Sequence, residues 1–285
     1  MPGKVKSVLI TGAGRGLGKA LALTYLEKGW MVFASDLEEP AFTDSLSLSL
    51  FERLPGLTSY FRPLKMDVTA DESVARAFGL LNEAHAKLDL IINNAGIDGY
   101  FLLSEAPASE FRRIFEVNVF GAYRVNQVFL HILRKPGGRI IHIGSESLNL
   151  TMPFMAYPLS KKLVEGYAKA LRQELRFRGI DVVMVRPGAI DTQLLKTVSD
   201  LPVQSREEAT TDPLKAAFNA FASQASKEIG KVTSPGEVAG FIYKISCKNR
   251  PRAVYRINNM LQLRIAALLP FRLLENIVYK RLSKG

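Results

Sequence analysis

Short apolar runs recur along the chain, and most are followed by a stretch with helical spacing. The first, Val5 to Ile10, ends in the glycine-rich segment Thr11 to Gly18, after which Lys19 to Glu27 repeats Leu21, Leu23, Tyr25 and Leu26 at helical intervals. Met31 to Ser35 is a second run, stopped by Asp36; Leu64 to Val68 and Leu88 to Asn93 are a third and fourth, each separated from the last by a helical stretch. Arg139 to Gly144 and Ile180 to Arg186 read as a fifth and sixth strand around a long helix at Leu159 to Phe177, and Arg252 to Arg256 closes the series. Strands that are apolar along their whole length, alternating with helices, are the mark of a parallel sheet buried on both faces. The pattern predicts an α/β single-domain chain with a doubly wound parallel sheet, helices on both faces and ligands at the carboxyl ends of the strands.

The periodicity weakens between residues 193 and 233, where Ser, Thr, Asp, Glu and Pro accumulate around a helical patch, Leu214 to Ala222. This divides the chain into a main domain, 1–256, carrying a 193–233 insertion over the site, and an extension, 257–285. The extension interleaves Leu261, Leu268, Leu273, Ile277 and Val278 with Arg264, Arg272, Lys280 and Arg281 and is broken at Pro270, so two short amphipathic helices are expected.

Charge sharpens this division. The net charge of the 285-residue chain is +11, but residues 248 to 285 hold nine basic side chains and one acid, Glu275, so +8 belongs to the tail and +3 to everything before it. With no aromatic-interleaved basic strand or recognition-helix pattern, a nucleic-acid partner is not expected. The tail is expected to lie flat, on protein or on an anionic membrane surface, because Arg264, Arg272 and Glu275 interrupt every run that would otherwise enter a bilayer. Elsewhere the longest uncharged stretch, Ser147 to Ser160, is short and contains two prolines, and the apolar run near the start is only Val8 to Ile10, so a cytoplasmic protein is expected. A lone cysteine, Cys247, reads as a partly buried spare thiol; with His85, His131 and His142 scattered over three segments, no metal site is expected.

Candidate chemistry begins at Thr11-Gly12-Ala13-Gly14-Arg15-Gly16-Leu17-Gly18. Lys19 is followed by Ala20 where a nucleotide triphosphatase loop needs Ser or Thr for magnesium, so that reading is disfavoured. Glycines at 12, 16 and 18 allow a tight turn and close backbone approach, and the helix behind them aims its amide dipoles at a pyrophosphate. Asp36, at the end of the second strand, suits the ribose hydroxyls and sets like charge against a 2′-phosphate, which favours NAD; Arg15 could hold that phosphate and leaves NADP open. Farther on, Tyr157-Pro158-Leu159-Ser160-Lys161 puts a phenol and an ammonium four residues apart, on one face of a helix that tolerates Pro158 only in its first turn. A cation near a phenol favours phenolate, and such a pair can exchange a proton with an alcohol.

The ordered series Thr11-Gly12 to Gly18, Asn93-Asn94-Ala95-Gly96, Asn118, Ser145, Tyr157-x-x-x-Lys161 and Pro187-Gly188 resembles the short-chain dehydrogenase/reductase family, whose fold is Rossmann-type. The resemblance covers residues 5 to about 192, and more loosely to 256. It implies Tyr157 as the acid/base, Lys161 lowering its pKa and holding the nicotinamide ribose, Ser145 bonding the substrate oxygen, and Asn118 holding a relay water. It implies a cofactor wall of Gly12, Arg15, Gly16, Leu17, Gly18 and Asp36, with Asp67 and Val68 at the adenine, Asn93, Ala95 and Gly96 beside the fourth strand, and Pro187, Gly188, Ile190 and Thr192 against the carboxamide. Ser145 precedes Tyr157 by twelve residues, a little short for the family, and Ser147 competes for its role.

The implied activity is an NAD(P)-dependent oxidoreductase interconverting a small hydrophobic secondary alcohol and its ketone, of hydroxysteroid, retinoid or acyl type, in a homo-oligomer. The alternatives are a non-catalytic dinucleotide-binding regulator and an NADPH-dependent 3-oxoacyl reductase. Leu194, Leu195, Val198, Leu201, Phe218 and Phe221, helped by Met152, Phe154 and Met155, are the expected pocket lining.

Overall fold

The computed structural model describes residues 5–40, 48, 51–52, 54–84, 86–149, 151–196, 212–227, 232–258, 265–266 and 268–283. Seven strands, β1 (Ser7–Thr11), β2 (Met31–Asp36), β3 (Phe61–Lys65), β4 (Leu90–Asn93), β5 (Arg139–Ile143), β6 (Asp181–Pro187) and β7 (Val254–Ile257), form one sheet in the order β3-β2-β1-β4-β5-β6-β7. Every pairing is parallel. The order reverses direction between β1 and β4, which opens a crevice at their carboxyl ends, where a doubly wound sheet binds its ligand.

The longer helices among the described residues are α1 (Gly16–Glu27), α2 (Asp71–Glu83), α3 (Ala108–Phe115), α4 (Gly121–Phe129), α5 (Tyr157–Leu175), α6 (Pro213–Lys227), α7 (Pro235–Ser246) and α8 (Phe271–Leu282). Strand side chains alternate between two cores, as the two-residue repeat of a strand requires. Leu9, Ile91, Ile140, Val182 and Met184 meet α2, α4 and α5 on one face. Val8, Ile10, Leu90, Ile92, Ile141, Val183 and Val185 meet α1 and α7 on the other. Arg139, buried at the start of β5, ties the second layer down: its guanidinium donates to the carbonyls of Ile245 (3.1 Å), Ser246 (2.6 Å) and Lys248 (2.7 Å) at the end of α7 and to Asp181 (2.9 Å). Ile245 and Ser246 belong to the last turn of α7, whose carbonyls lack the next turn of helix as a partner.

The third strand departs from expectation. It lies at Phe61–Lys65, pairing Val32 with Phe61 through Asp36 with Lys65, and the apolar run Leu64 to Val68 is split between the strand and the loop after it. As an edge strand it accommodates Pro63, whose missing N–H needs no ladder partner there, while Met66 and Val68 reach the first core from the loop. The helix expected before this strand falls largely on residues outside those described; Pro55–Tyr60 forms a 3-10 turn.

Cys247 is exposed rather than partly buried. Within the insertion the helical turn Gln193–Lys196 and α6 with its flanks are described; Val198 and Leu201 lie outside the described residues, as do most of the residues expected to form the first tail helix. The second tail helix is α8. Leu274, Val278 and Leu282 turn one half-buried face inward, whereas Phe271 (63%), Leu273 (48%), Ile277 (46%) and Tyr279 (72%) are open to solvent. Among the described residues no helix is long and apolar enough to cross a membrane.

Candidate active site

The turn between β1 and α1 is shaped by what glycine lacks. A Cβ on Gly18 would sit 1.9 Å from the carbonyl oxygen of Gly12, and one on Gly12, itself at φ +64°, would sit 2.8 Å from Ala95 Cα. Gly16 is also left-handed, at φ +54°, and faces the methyl of Thr192 across the crevice. Asn94, which the sequence motif contains but which was not singled out there, holds the turn from below: its Nδ2 donates to the carbonyls of Thr11 and Gly12, both at 3.0 Å. Thr11 Oγ1 in return accepts from the amides of Asn94 (3.1 Å) and Ala95 (3.0 Å). No acidic side chain occupies the first turn of α1 and no side chain caps it, so its amides and dipole face the crevice.

Asp36 closes the outer end of this cradle. Its Oδ2 accepts from the amide of Gly14 at 2.8 Å and its Oδ1 from that of Leu37 at 2.8 Å, which fixes the carboxylate beside the glycine turn. Asp67 is fixed likewise by the amide (2.8 Å) and hydroxyl (2.7 Å) of Thr69, and Val68 is buried against Gly121. Arg15 is exposed at the mouth. A backbone cradle, an open helix N-terminus and an anchored carboxylate at the end of β2 fit a dinucleotide. Asn93 ends β4, and its buried side chain donates to Asn126 Oδ1 at 2.9 Å, while the grip on the turn belongs to Asn94.

At the carboxyl ends of β4 and β5 the remaining candidates converge. Tyr157 opens α5 with Pro158 in the first turn, where proline is tolerated. Lys161, one turn on and buried, donates from Nζ to the carbonyl of Ile143 at 2.9 Å and lies 5.4 Å from the centre of the Tyr157 ring. Ser145 bonds the Tyr157 phenol and shares a 2.8 Å hydroxyl contact with Ser147, so of the two serines it is Ser145 that reaches the tyrosine. Asn118 sits in a π turn, Glu116–Phe120, that joins α3 to α4. Its Oδ1 accepts from the Ile97 amide (2.8 Å) and its Nδ2 donates to Ile97 O and Ser160 Oγ, both at 2.9 Å. The side chain is a clamp between the segment after β4 and α5.

Electrostatics here differ from the simple expectation that Lys161 depresses the phenol. Burial pushes the Tyr157 phenol well above its ordinary range, and the negative charge of Asp98 adds to the rise, against a smaller opposing effect of the Ser145 hydrogen bond. Burial pulls Lys161 down to about 8, partly offset by Asp98. His142, fully buried in β5, is pulled down to about 3 by burial and then by Lys161, so it is a neutral core imidazole beside Asn126 and Tyr167. The apolar wall next to Tyr157 contains Phe154, Met155, Phe218 and Phe221 as anticipated, and adds Tyr100, Leu102 and, from the last turn of α8, Leu282.

Comparison with known proteins matches this arrangement to one family. Residues 6–201 fit the family model described as short chain dehydrogenase. The NADPH-dependent 3-dehydrocapnine reductase of Ornithobacterium rhinotracheale is 30% identical over 98% of both chains. The 3-oxoacyl-[acyl-carrier-protein] reductase of Vibrio harveyi is 31% identical over 68% of this chain and 78% of its own. A short-chain dehydrogenase from Streptomyces avermitilis shares the fold, with a TM-score of 0.75 at 22% identity over 99% of this chain and 98% of its own. The chain belongs to the short-chain dehydrogenase/reductase family. It is an NAD(P)-dependent oxidoreductase acting on CH–OH groups.

Proposed function

We propose that the chain interconverts a hydrophobic secondary alcohol and its ketone, with Tyr157 as proton carrier and NAD(H) as the preferred cofactor. The observation that carries this reading is that Tyr157 opens α5 just after the apolar cluster of Phe154, Tyr100 and Phe221, with the buried Lys161 one turn on and its Nζ 5.4 Å from the centre of the phenol ring. When bound, the nicotinamide supplies or accepts the hydride. Ser145 donates a hydrogen bond to the substrate oxygen, where negative charge develops during reduction. Tyr157 gives its proton to that oxygen, and a phenol held protonated by burial is ready for this direction. Lys161, at about 8, exchanges protons near neutral pH and restores the phenol. Asp36 accepts the ribose hydroxyls and repels a 2′-phosphate.

Two further parts of the reading concern assembly. The inward face of α8 belongs to the substrate wall, and its outward face, with Leu273 and Ile277 beside Lys280, lies on an anionic bilayer. The working unit is a homo-oligomer, as the family resemblance implies.

The deciding experiment is an absorbance screen at the nicotinamide wavelength across secondary alcohols, steroids, retinoids and 3-oxoacyl compounds, run with the wild type and Tyr157→Phe. The variant is expected to bind cofactor and lose at least ~10²-fold in kcat. Retention of more than half the wild-type kcat would overturn the assignment and support a regulator without turnover. Flotation with anionic liposomes at low and high salt tests α8, and sedimentation tests the oligomer.

A further inference from the structure

The turn that carries Ser145 is tied to the last strand of the sheet by a charge pair that the mechanism above does not use. Glu146 follows Ser145 directly and opens the 3-10 turn Glu146–Asn149. Its side chain is 1% exposed, so a carboxylate is withdrawn from water one residue from a reacting hydroxyl. Oε1 of Glu146 lies 3.4 Å from Nε of Arg256, which reaches across from β7 with 35% of its side chain exposed. On the neighbouring strand Arg186 is the register partner of Arg256. Like charges side by side repel, and each of the two is met by its own acid: Arg186 Nε donates to Glu165 of α5 at 2.5 Å, and Arg256 faces Glu146. The end of β7 is itself fastened. The Gly188 amide donates to Ile257 O at 2.9 Å, and Asn258 Nδ2 donates to Ala189 O at 3.3 Å.

A buried carboxylate is tolerated when a cation compensates it, and removing the cation leaves an uncompensated charge that the chain must bring back to water. Here the part that would have to move is the turn, and Ser145 moves with it because it is the adjacent residue. Ser147 is the competitor at hand: its amide donates to Ser145 Oγ at 3.2 Å and the two hydroxyls touch at 2.8 Å. A small rotation of the turn would exchange one hydroxyl for the other. We propose that Arg256 is a positioning residue: through the buried carboxylate of Glu146 it fixes the turn so that the hydroxyl of Ser145, and not that of Ser147, meets the substrate oxygen. A reacting group held in place by a second layer of contacts loses rate when that layer is removed, even though the layer touches neither substrate nor cofactor.

This inference rests on the assignment of Ser145 to the substrate oxygen, and its test separates the two. The values of kcat and KM for a ketone that the wild type reduces are compared in Ser145→Ala, Arg256→Met, Arg256→Lys, Glu146→Gln and the double variant Ser145→Ala/Arg256→Met. Ser145→Ala should lower kcat ~10²-fold, the usual cost of one lost donor to a developing oxyanion. Arg256→Met should lower kcat about tenfold and leave KM and cofactor affinity within about twofold, since it removes placement and no binding contact. Glu146→Gln, which keeps the shape of the turn, should show the same split, and it carries the comparison if Arg256→Met does not fold. Arg256→Lys should keep most of the wild-type kcat, because a single contact at Nε asks for a cation and not for a fork. In the Ser145→Ala background Arg256→Met should cost nothing further, as expected of groups that act as one unit. Wild-type kcat in both Arg256→Met and Glu146→Gln, or an equal loss from Arg256→Met with and without Ser145, overturns the role of Arg256. A readout that needs no turnover follows the turn directly: Ser145→Cys in a Cys247→Ser background is labelled with a maleimide, with and without Arg256→Met or Glu146→Gln. Labelling of the introduced thiol should speed up several-fold when the pair is broken, and an unchanged rate overturns the fixing of the turn. Faster labelling together with a wild-type kcat in Ser145→Ala would keep the pair as the device that holds the turn and overturn the assignment of the serine instead.

Discussion

The two walls of the cleft are built by different physics. The cofactor wall is made of backbone: Gly12 and Gly18 bring main chain within contact distance of main chain, Gly14 and Gly16 leave room for the side chains of Asp36 and Thr192, Asn94 ties carbonyls, and Asp36 is held by two amides. The substrate wall is made of side chains drawn from distant parts of the chain, Tyr100, Phe154, Phe218, Phe221 and Leu282, meeting over the start of α5. A backbone cradle has almost no freedom to vary, whereas an aromatic cluster can be repacked at constant volume. One wall can therefore stay constant while the other changes with the substrate.

That contrast can be broken most severely at Gly18. Gly18→Ala places a methyl 1.9 Å from a carbonyl oxygen, so the turn must open, and cofactor affinity should fall by at least ~10²-fold in a nicotinamide fluorescence titration. At Asp36 the effect is one of choice. The wild type should show the higher kcat/KM with NAD, and Asp36→Ala should shift the NAD/NADP ratio of kcat/KM by about tenfold toward NADP, the size of one lost charge-assisted bond. A wild type that prefers NADP tenfold would instead make Arg15 the dominant group.

Lys161 sits between the walls and is read by pH. Its folded-state value of about 8 lies below the ordinary 10.5 of the unfolded chain, so between these values the unfolded state binds more protons and stability rises with pH. Below about 8 both states are charged and the cost of the buried ammonium is fully present. Thermal melts from pH 7 to 10.5 should show this climb in the wild type and a flatter profile in Lys161→Met. The mildest change belongs to the substrate wall. Phe218→Leu should cost less than ~1.5 kcal/mol of stability in denaturant melts, raise KM for long apolar substrates a few-fold, and leave cofactor affinity alone. An equal loss on both sides would erase the distinction between the walls.

Legibility in the sequence follows the same division. β1, the glycine turn, α1 and Asp36 were readable because their constraints are local: an apolar run, residues without a Cβ, and a charge at a strand end. β3 was displaced because an edge strand buries little, with Leu64 alone of its five residues fully covered, while Leu64 to Val68 offered a stronger but misleading apolar run. Ser145 and Ser147 could not be separated by spacing, since they flank the start of the 3-10 turn Glu146–Asn149 and their hydroxyls touch at 2.8 Å. Tyr100 and Leu282 carried no local signal at all. Their place in the wall comes from neighbours more than fifty residues away in the chain, as between Tyr100 and Phe221 or Leu282 and the Phe218–Phe221 cluster.

The π turn at Glu116–Phe120 makes α3 and α4 one continuous rod with a surplus residue in the middle. Upstream of it Ile114 faces the core, and within it Asn118 faces Ile97 and Ser160; downstream, Gly121 faces Val68 and Asn126 faces Asn93. An unbroken α-helix turns about 100° and advances about 1.5 Å per residue, so deleting one residue here would swing one half of the rod away from its partners. Chain length in this stretch is itself information: substitutions on its outer face leave the count intact, but a single-residue insertion or deletion between 108 and 129 changes every facing at once.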